Sequence, residues 1–185
     1  MGAAHRKFGV SAGIAAVSIV VLVAGPALAA RTRPVAAAPG TAAVDLGTLP
    51  GGTGSGALGV NPAGQIVGYS SVSGAVGVKG VLWERSGPAS FRVTDLGTLP
   101  GDTLGFASAI DSNGRVAGLS ANAAADSHGA VWSPTGSGSF SVDHLEPLPG
   151  AASSAANAIN DAGLVAGSSF GPAGPERAVA WITEQ

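Results

Sequence analysis

Gly167-Ser168-Ser169-Phe170-Gly171 fits G-x-S-x-G, the spacing of a nucleophile elbow, in which a strained strand-to-helix corner presents a serine hydroxyl for acyl transfer. Gly54-Ser55-Gly56-Ala57-Leu58-Gly59 fits G-x-G-x-x-G, the spacing that lets a backbone approach a pyrophosphate. Both chemistries need a helix directly after the glycines. The first run has counterparts, Gly68-Tyr69-Ser70-Ser71-Val72 and Gly118-Leu119-Ser120-Ala121-Asn122, that lack the last Gly and continue a hairpin strand. The second leads into Val60-Asn61-Pro62-Ala63-Gly64, which makes a turn. In a chain with 30 Gly, chance matches of this kind are expected, so neither a hydrolase nor a nucleotide site is read from them.

The remaining chemical candidates are few. There is no Cys, which excludes disulfides, Cys-ligated zinc, iron-sulfur clusters and thiol catalysis. His128 and His144 are not at ligand spacing with one another or with an acid, and His128 takes a place that is Lys79 or Arg177 elsewhere, which predicts a cationic or amphipathic role at a strand start. Asp111-Ser112-Asn113-Gly114 has the opening of a calcium loop but no acid at the twelfth position, and reads as a turn. Trp83, Trp132 and Trp181 have the chemistry to stack on sugar rings. Their register with Val81, Ala130 and Val179, same-face neighbours on a strand, favours a core role instead. Asp45 and Asp95 are expected to bond the backbone of their own turns rather than form a catalytic pair. No catalytic set, metal site or cofactor is expected, and no ligand-binding residue is identified.

The elements that carry these residues follow from internal repetition, which must be sought before any other pattern. Asp45-Leu46-Gly47-Thr48-Leu49-Pro50-Gly51 returns unchanged as Asp95 to Gly101, and in altered form as His144-Leu145-Glu146-Pro147-Leu148-Pro149-Gly150. After each copy comes Ala, x, small, Val or Ile, Asn or Asp, x, x, Gly, x, Ile or Val, small, Gly, at residues 57 to 68, 107 to 118 and 156 to 167. Within it Asn61, Asp111 and Asn160 start a turn that Gly64, Gly114 and Gly163 end, the pattern of a type I turn closed by a left-handed glycine. A third block closes each unit as Lys79-Gly80-Val81-Leu82-Trp83, His128-Gly129-Ala130-Val131-Trp132 and Arg177-Ala178-Val179-Ala180-Trp181.

Each unit thus holds about four short strand candidates, and no apolar run after residue 30 keeps a helical period. The expected class is all-β, with three repeats spanning 44-94, 95-143 and 144-185. Two architectures accept such units: propeller-like blades, which suit a repeat of about 50 residues, or a three-fold β-trefoil, which suits 142 residues in one chain. The third unit ends without a fourth run, whereas Val44-Asp45-Leu46 is a fourth run without its predecessors. The expectation is that this N-terminal strand completes the last blade.

Ahead of the repeats, His5, Arg6 and Lys7 precede an uncharged stretch from Phe8 to Ala30, and Ala27-Leu28-Ala29 fits the small-x-small cleavage rule. Residues 1-29 therefore read as a signal peptide and 30-43 as an Ala- and Pro-rich linker. The alternative is an uncleaved N-terminal anchor in the cell membrane, facing outward. Without residues 1-29 the chain has seven Lys plus Arg against eleven Asp plus Glu, which gives no electrostatic footprint for nucleic acid or anionic lipid. The expected location is extracellular, with membrane contact only through an uncleaved leader.

The repeated runs, in this order, resemble the HAF repeat of bacterial extracellular repeat proteins, over residues 44 to 183. The His-Ala-Phe tripeptide that names the family stands here as Lys79-Gly80-Val81, His128-Gly129-Ala130 and Arg177-Ala178-Val179. The resemblance implies export and a propeller-like array, and it implies no activity. The reading is a non-enzymatic exported module that binds an extracellular glycan or protein. Its alternatives are a structural module forming a homo-oligomeric ring and a secreted hydrolase.

Overall fold

A computed structural model describes residues 42-74, 77-171 and 174-183. The leader and most of the linker lie outside the described residues, and so does Gln185. Among the described residues there is no helix, and so none long and apolar enough to cross a membrane. The protein is all-β, as its short Val-, Ala- and Ser-rich runs between Gly and Pro turns predict.

The first sheet contains β1 (Ser55–Val60), β2 (Ile66–Ser71), β3 (Val78–Gly87) and β4 (Ser90–Asp95), antiparallel in chain order. The second repeats this with β5 (Leu104–Ile110), β6 (Val116–Ala121), β7 (Ser127–Pro134) and β8 (Phe140–Leu145). The third has β9 (Ser153–Ile159), β10 (Leu164–Gly171) and β11 (Gly174–Ile182) and, among the described residues, no fourth strand. The first sheet packs on the second and the second on the third. The inner strands β1, β5 and β9 are neighbours in that order, and no comparable packing joins the first sheet to the third among the described residues.

The turn between the first two strands of each sheet is built the same way three times. Gly64, Gly114 and Gly163 have φ of 79°, 80° and 82°, a left-handed backbone that a Cβ would strain. The Asn61 Oδ1 accepts from the Gln65 N–H at 3.0 Å, the Asp111 Oδ1 from Arg115 at 2.8 Å, and the Asn160 Oδ1 from Leu164 at 3.0 Å. A bulge then leaves Leu58, Ser108 and Asn157 unpaired at matching places. The partner strand carries Gly68, Gly118 and Gly167 there, where a Cβ would collide with the carbonyl oxygens of Gly56, Phe106 and Ala155. The last glycine of the second block is required by that close approach.

Apolar residues fill the space between sheets. Val67, Leu82, Leu96, Ala107, Ile110, Val116 and Trp132 form one cluster between the first and second sheets, and Ala117, Val131, Leu145, Ala156 and Val165 form another between the second and third. Burial of each Val, Leu or Ile side chain is worth about 1.5–3 kcal/mol. A third cluster of Leu49, Val81 and Trp83, backed by Leu46, Phe91 and Val93, belongs to the first sheet and its loop.

One expectation fails. Val44-Asp45-Leu46 does not complete the last sheet: these residues form no strand, and Leu46 packs toward Trp83 of the first sheet. The Gly47 N–H donates to the Asp45 Oδ1 at 2.9 Å and the Trp83 Nε1–H to the Gly47 carbonyl at 3.3 Å, so the turn is tied to its own repeat. Among the described residues no packing comparable to that of successive sheets joins the first sheet to the third, and three sheets are fewer than the four to eight blades at which propellers close.

Candidate functional site

The serines and glycines with catalytic spacing are structural in their surroundings. Gly54 to Gly59 runs along β1, with a turn after it and no helix. Ser169 lies within β10, 1% exposed, and its hydroxyl accepts from the Leu148 N–H at 2.9 Å. Ser70 and Ser120, its counterparts, are fully buried and take the N–H groups of Leu49 and Leu99 at 2.9 and 3.1 Å. Each hydroxyl thus ties the Leu-Pro-Gly loop to the second strand of its own sheet. A buried Oγ held in this way is not presented to a substrate.

The indole nitrogens repeat a similar bond. The Nε1–H of Trp132 donates to the Gly97 carbonyl at 3.2 Å, and that of Trp181 to the Glu146 carbonyl at 2.8 Å. Trp83 and Trp132 are fully buried, whereas Trp181 is only half-buried. The cause is the fourth strand. Phe91 and Val93 of β4 pack beside Trp83, and Phe140 and Val142 of β8 support the cluster around Trp132, but among the described residues β11 has no such strand beside it.

An open groove of about 520 Å³ lies there, between the second sheet and β11, lined by Val131, Asp143, His144, Glu146, Trp181 and Arg115 among others. Arg115 is engaged elsewhere: its Nε donates to the Asp111 Oδ2 at 2.7 Å and its Nη2 to the Asp161 carbonyl at 3.1 Å. The Asp111 side chain is fully buried and its pair therefore needs this geometry, since an unpaired buried carboxylate is strongly disfavoured. The junction between the first two sheets has its own bridge, in which the Asn61 Nδ2 donates to the Asp111 carbonyl at 3.0 Å.

The two imidazoles, far apart in sequence, meet in the fold. His128 and His144 stack edge-on with ring centroids 5.4 Å apart. The Nδ1 of His128 lies 2.9 Å from the Asp102 Oδ2, and that of His144 3.1 Å from the Glu146 Oε1. The pairing of Ala130 with His144 makes His128 a diagonal neighbour across β7 and β8, a signal that appears only once the hairpin register is known. Asp102 and its partner occur in the second repeat alone: their counterparts are Gly52 with Lys79 and Ala151 with Arg177. Among the described residues no group of His, Asp and Glu is placed to hold a metal ion. The arrangement orients two rings, each beside a carboxylate.

Asp95 behaves as Asp45 does, its Oδ1 accepting from the Gly97 N–H at 2.9 Å. Of the residues singled out in the sequence, the structure brings together Asn61 with Asp111 and His128 with His144. It keeps the three Trp apart, one to a sheet. Comparison with protein-family models, with curated proteins and with solved structures finds no match to this chain.

Proposed function

We propose that the chain is an exported, non-enzymatic repeat module whose three sheets are successive blades of a propeller-like array, and that it binds a protein by strand addition at β11. The observation that carries this reading is the outer edge of β11. Its counterparts β3 and β7 each pair with a fourth strand along that edge, and among the described residues β11 pairs with β10 alone. Unpaired edges are templates for another strand, with backbone bonds giving affinity and side-chain pockets giving specificity. The groove beside half-buried Trp181 is such a pocket. The serial packing of the sheets and the adjacency of β1, β5 and β9 support blades over a trefoil. Export rests on the composition of residues 1-29, and the HAF-like order of the blocks supports it.

The Leu96 N–H donates to the Gly80 carbonyl at 3.0 Å, so Gly80 and Leu82 turn their backbone groups toward β4. Ala178 and Ala180 are their counterparts at the free edge. A synthetic peptide copying Ser90 to Leu96, the first sheet's own fourth strand, should bind the protein and slow hydrogen exchange at the Ala180 amide. Glycan binding on an array with that amide still exchanging freely in the presence of peptide would replace the protein-partner reading with a glycan one.

A further inference from the structure

The chain carries both halves of one missing strand pair. In the first sheet Val81 pairs with Asp95, Leu82 with Thr94 and Trp83 with Val93. In the second, Ala130 pairs with His144, Val131 with Asp143 and Trp132 with Val142. The repeat puts Val179, Ala180 and Trp181 in the place of the inner residues, and Asp45, Val44 and Ala43 in the place of the outer ones. Yet Ala43, Val44 and Asp45 are exposed and in no strand, and among the described residues β11 is without a partner on that side.

The sheet faces repeat this complementarity. At the junction of the first two sheets, Val67 and Leu82 meet Leu96, Ala107 and Ile110, all buried. On the third sheet the counterparts of Val67 and Leu82 are Ala166 and Ala180, both exposed. On the first sheet the counterparts of Leu96, Ala107 and Ile110 are Leu46, Ala57 and Val60, of which Leu46 is half-buried, Ala57 exposed and Val60 67% exposed. One end of the array therefore presents the trailing half of an interface that the chain makes twice internally, and the other end presents the leading half. A buried polar contact has its free counterpart too: the Gly129 N–H donates to the Ser154 Oγ at 2.9 Å, and the corresponding Ala178 and Ser55 are both exposed.

Resting on the strand-addition reading above, we infer that the occupant of β11 is a second copy of this chain. Ala43 to Leu46 of one copy pairs with Val179 to Trp181 of the other, and Ala57 and Val60 face Ala166 and Ala180. The charged and proline residues of the edge, Pro175, Glu176 and Arg177, lie at the start of β11 and blunt it outside the paired stretch. Head-to-tail contacts close into a ring only when the rotation completes a turn. Three sheets are too few for a propeller ring, and two copies supply six, within the four to eight at which such rings close. The ring therefore holds two chains, each N-terminal segment completing the other's last sheet.

Sedimentation of the purified protein tests this, with an expected mass of two chains. Val60→Lys and Ala180→Glu each change a side chain exposed in the single chain, so each variant should fold and each should weaken the dimer at least about tenfold. Mixed in equal amounts, the two variants should recover the two-chain mass, because one junction is then native and the other pairs Lys with Glu. A protein that stays a single chain at high concentration, or a dimer indifferent to both substitutions, overturns the inference, and species larger than two chains overturn the closed ring. If the second copy fails while the Ser90 to Leu96 peptide still protects the Ala180 amide, strand addition stands with a different protein as partner. If neither protects that amide, both readings fall.

Discussion

The first and third sheets are made from the same three sequence blocks, and they end with opposite exposures. In β3 the run Gly80-Val81-Leu82-Trp83 is buried throughout, whereas in β11 Ala178 and Ala180 are exposed and Val179 and Trp181 half-buried. The third sheet has a neighbour on the side that its Trp faces, and the first sheet has none there. Coverage therefore comes less from the neighbouring sheet than from the fourth strand and the Asp-Leu-Gly-Thr-Leu-Pro-Gly loop. Trp83 has both, in Phe91 and Val93 on one side and Leu46 and Leu49 on the other. A repeat in this chain is complete only when the strand that precedes the next loop is present.

That contrast breaks first at the indoles. Trp83→Ala should cost about 3–5 kcal/mol, the usual range for removing a fully buried Trp. In the dilute single chain Trp181→Ala should cost roughly half as much, because a half-exposed ring has less apolar surface to lose. Denaturant unfolding of the two variants measures the difference. Equal costs would mean that Trp181 is covered in solution, as a second copy on β11 would cover it, and dilution should then separate the two values.

The turn asparagines give a smaller effect of the same sense. The Asn61 side chain is buried and bonds the Gln65 N–H, the Gln65 Oε1 and the Asp111 carbonyl, so it serves both its own turn and the junction to the next sheet. The Asn160 side chain is exposed, and its Oδ1 accepts from the Ala162 and Leu164 N–H groups within its own turn. Asn61→Ala should cost about 2 kcal/mol and Asn160→Ala about 1 kcal/mol, by the same unfolding measurement. A reversal of that order would detach the junction bond from stability.

The division into three sheets was legible because turn glycines and Trp return at fixed spacing, and local chemistry of that kind is carried by neighbours in sequence. The Asx bonds of Asp45 and Asp95 are local in the same way. What was not legible depends on register and on distance. Nothing in the types of His128 and His144 says that they meet, because the β7 to β8 pairing decides it. The partner of Asp102 is hidden for the same reason. Val44-Asp45-Leu46 has the composition of a fourth run, but composition does not say whether a sheet edge is within reach, and in the fold Leu46 packs toward Trp83 of the first sheet instead.

The smallest predicted effect isolates the fourth strand itself. Glu84 on β3 lies opposite Arg92 on β4, with the Arg92 Nη2 donating to Glu84 Oε2 at 2.8 Å. That hydrogen bond, helped by the Gln65 Nε2 at 3.1 Å, holds the Glu84 carboxyl below its ordinary value against the opposing effect of partial burial. The third sheet has Ile182 in this place and, among the described residues, no strand opposite it. A carboxyl lowered by folding stabilises the protein above its unfolded pKa of about 4.3, and the contribution disappears as pH falls through the folded value. Arg92 is 71% exposed, so solvent screening keeps the gain to about 0.5 kcal/mol. Glu84→Gln should therefore lie slightly below the parent at neutral pH and converge with it in acid well below pH 4. A gap that persists at low pH would assign the loss to packing between β3 and β4, and the ion pair would have no part in distinguishing a sheet that has its fourth strand from one that lacks it.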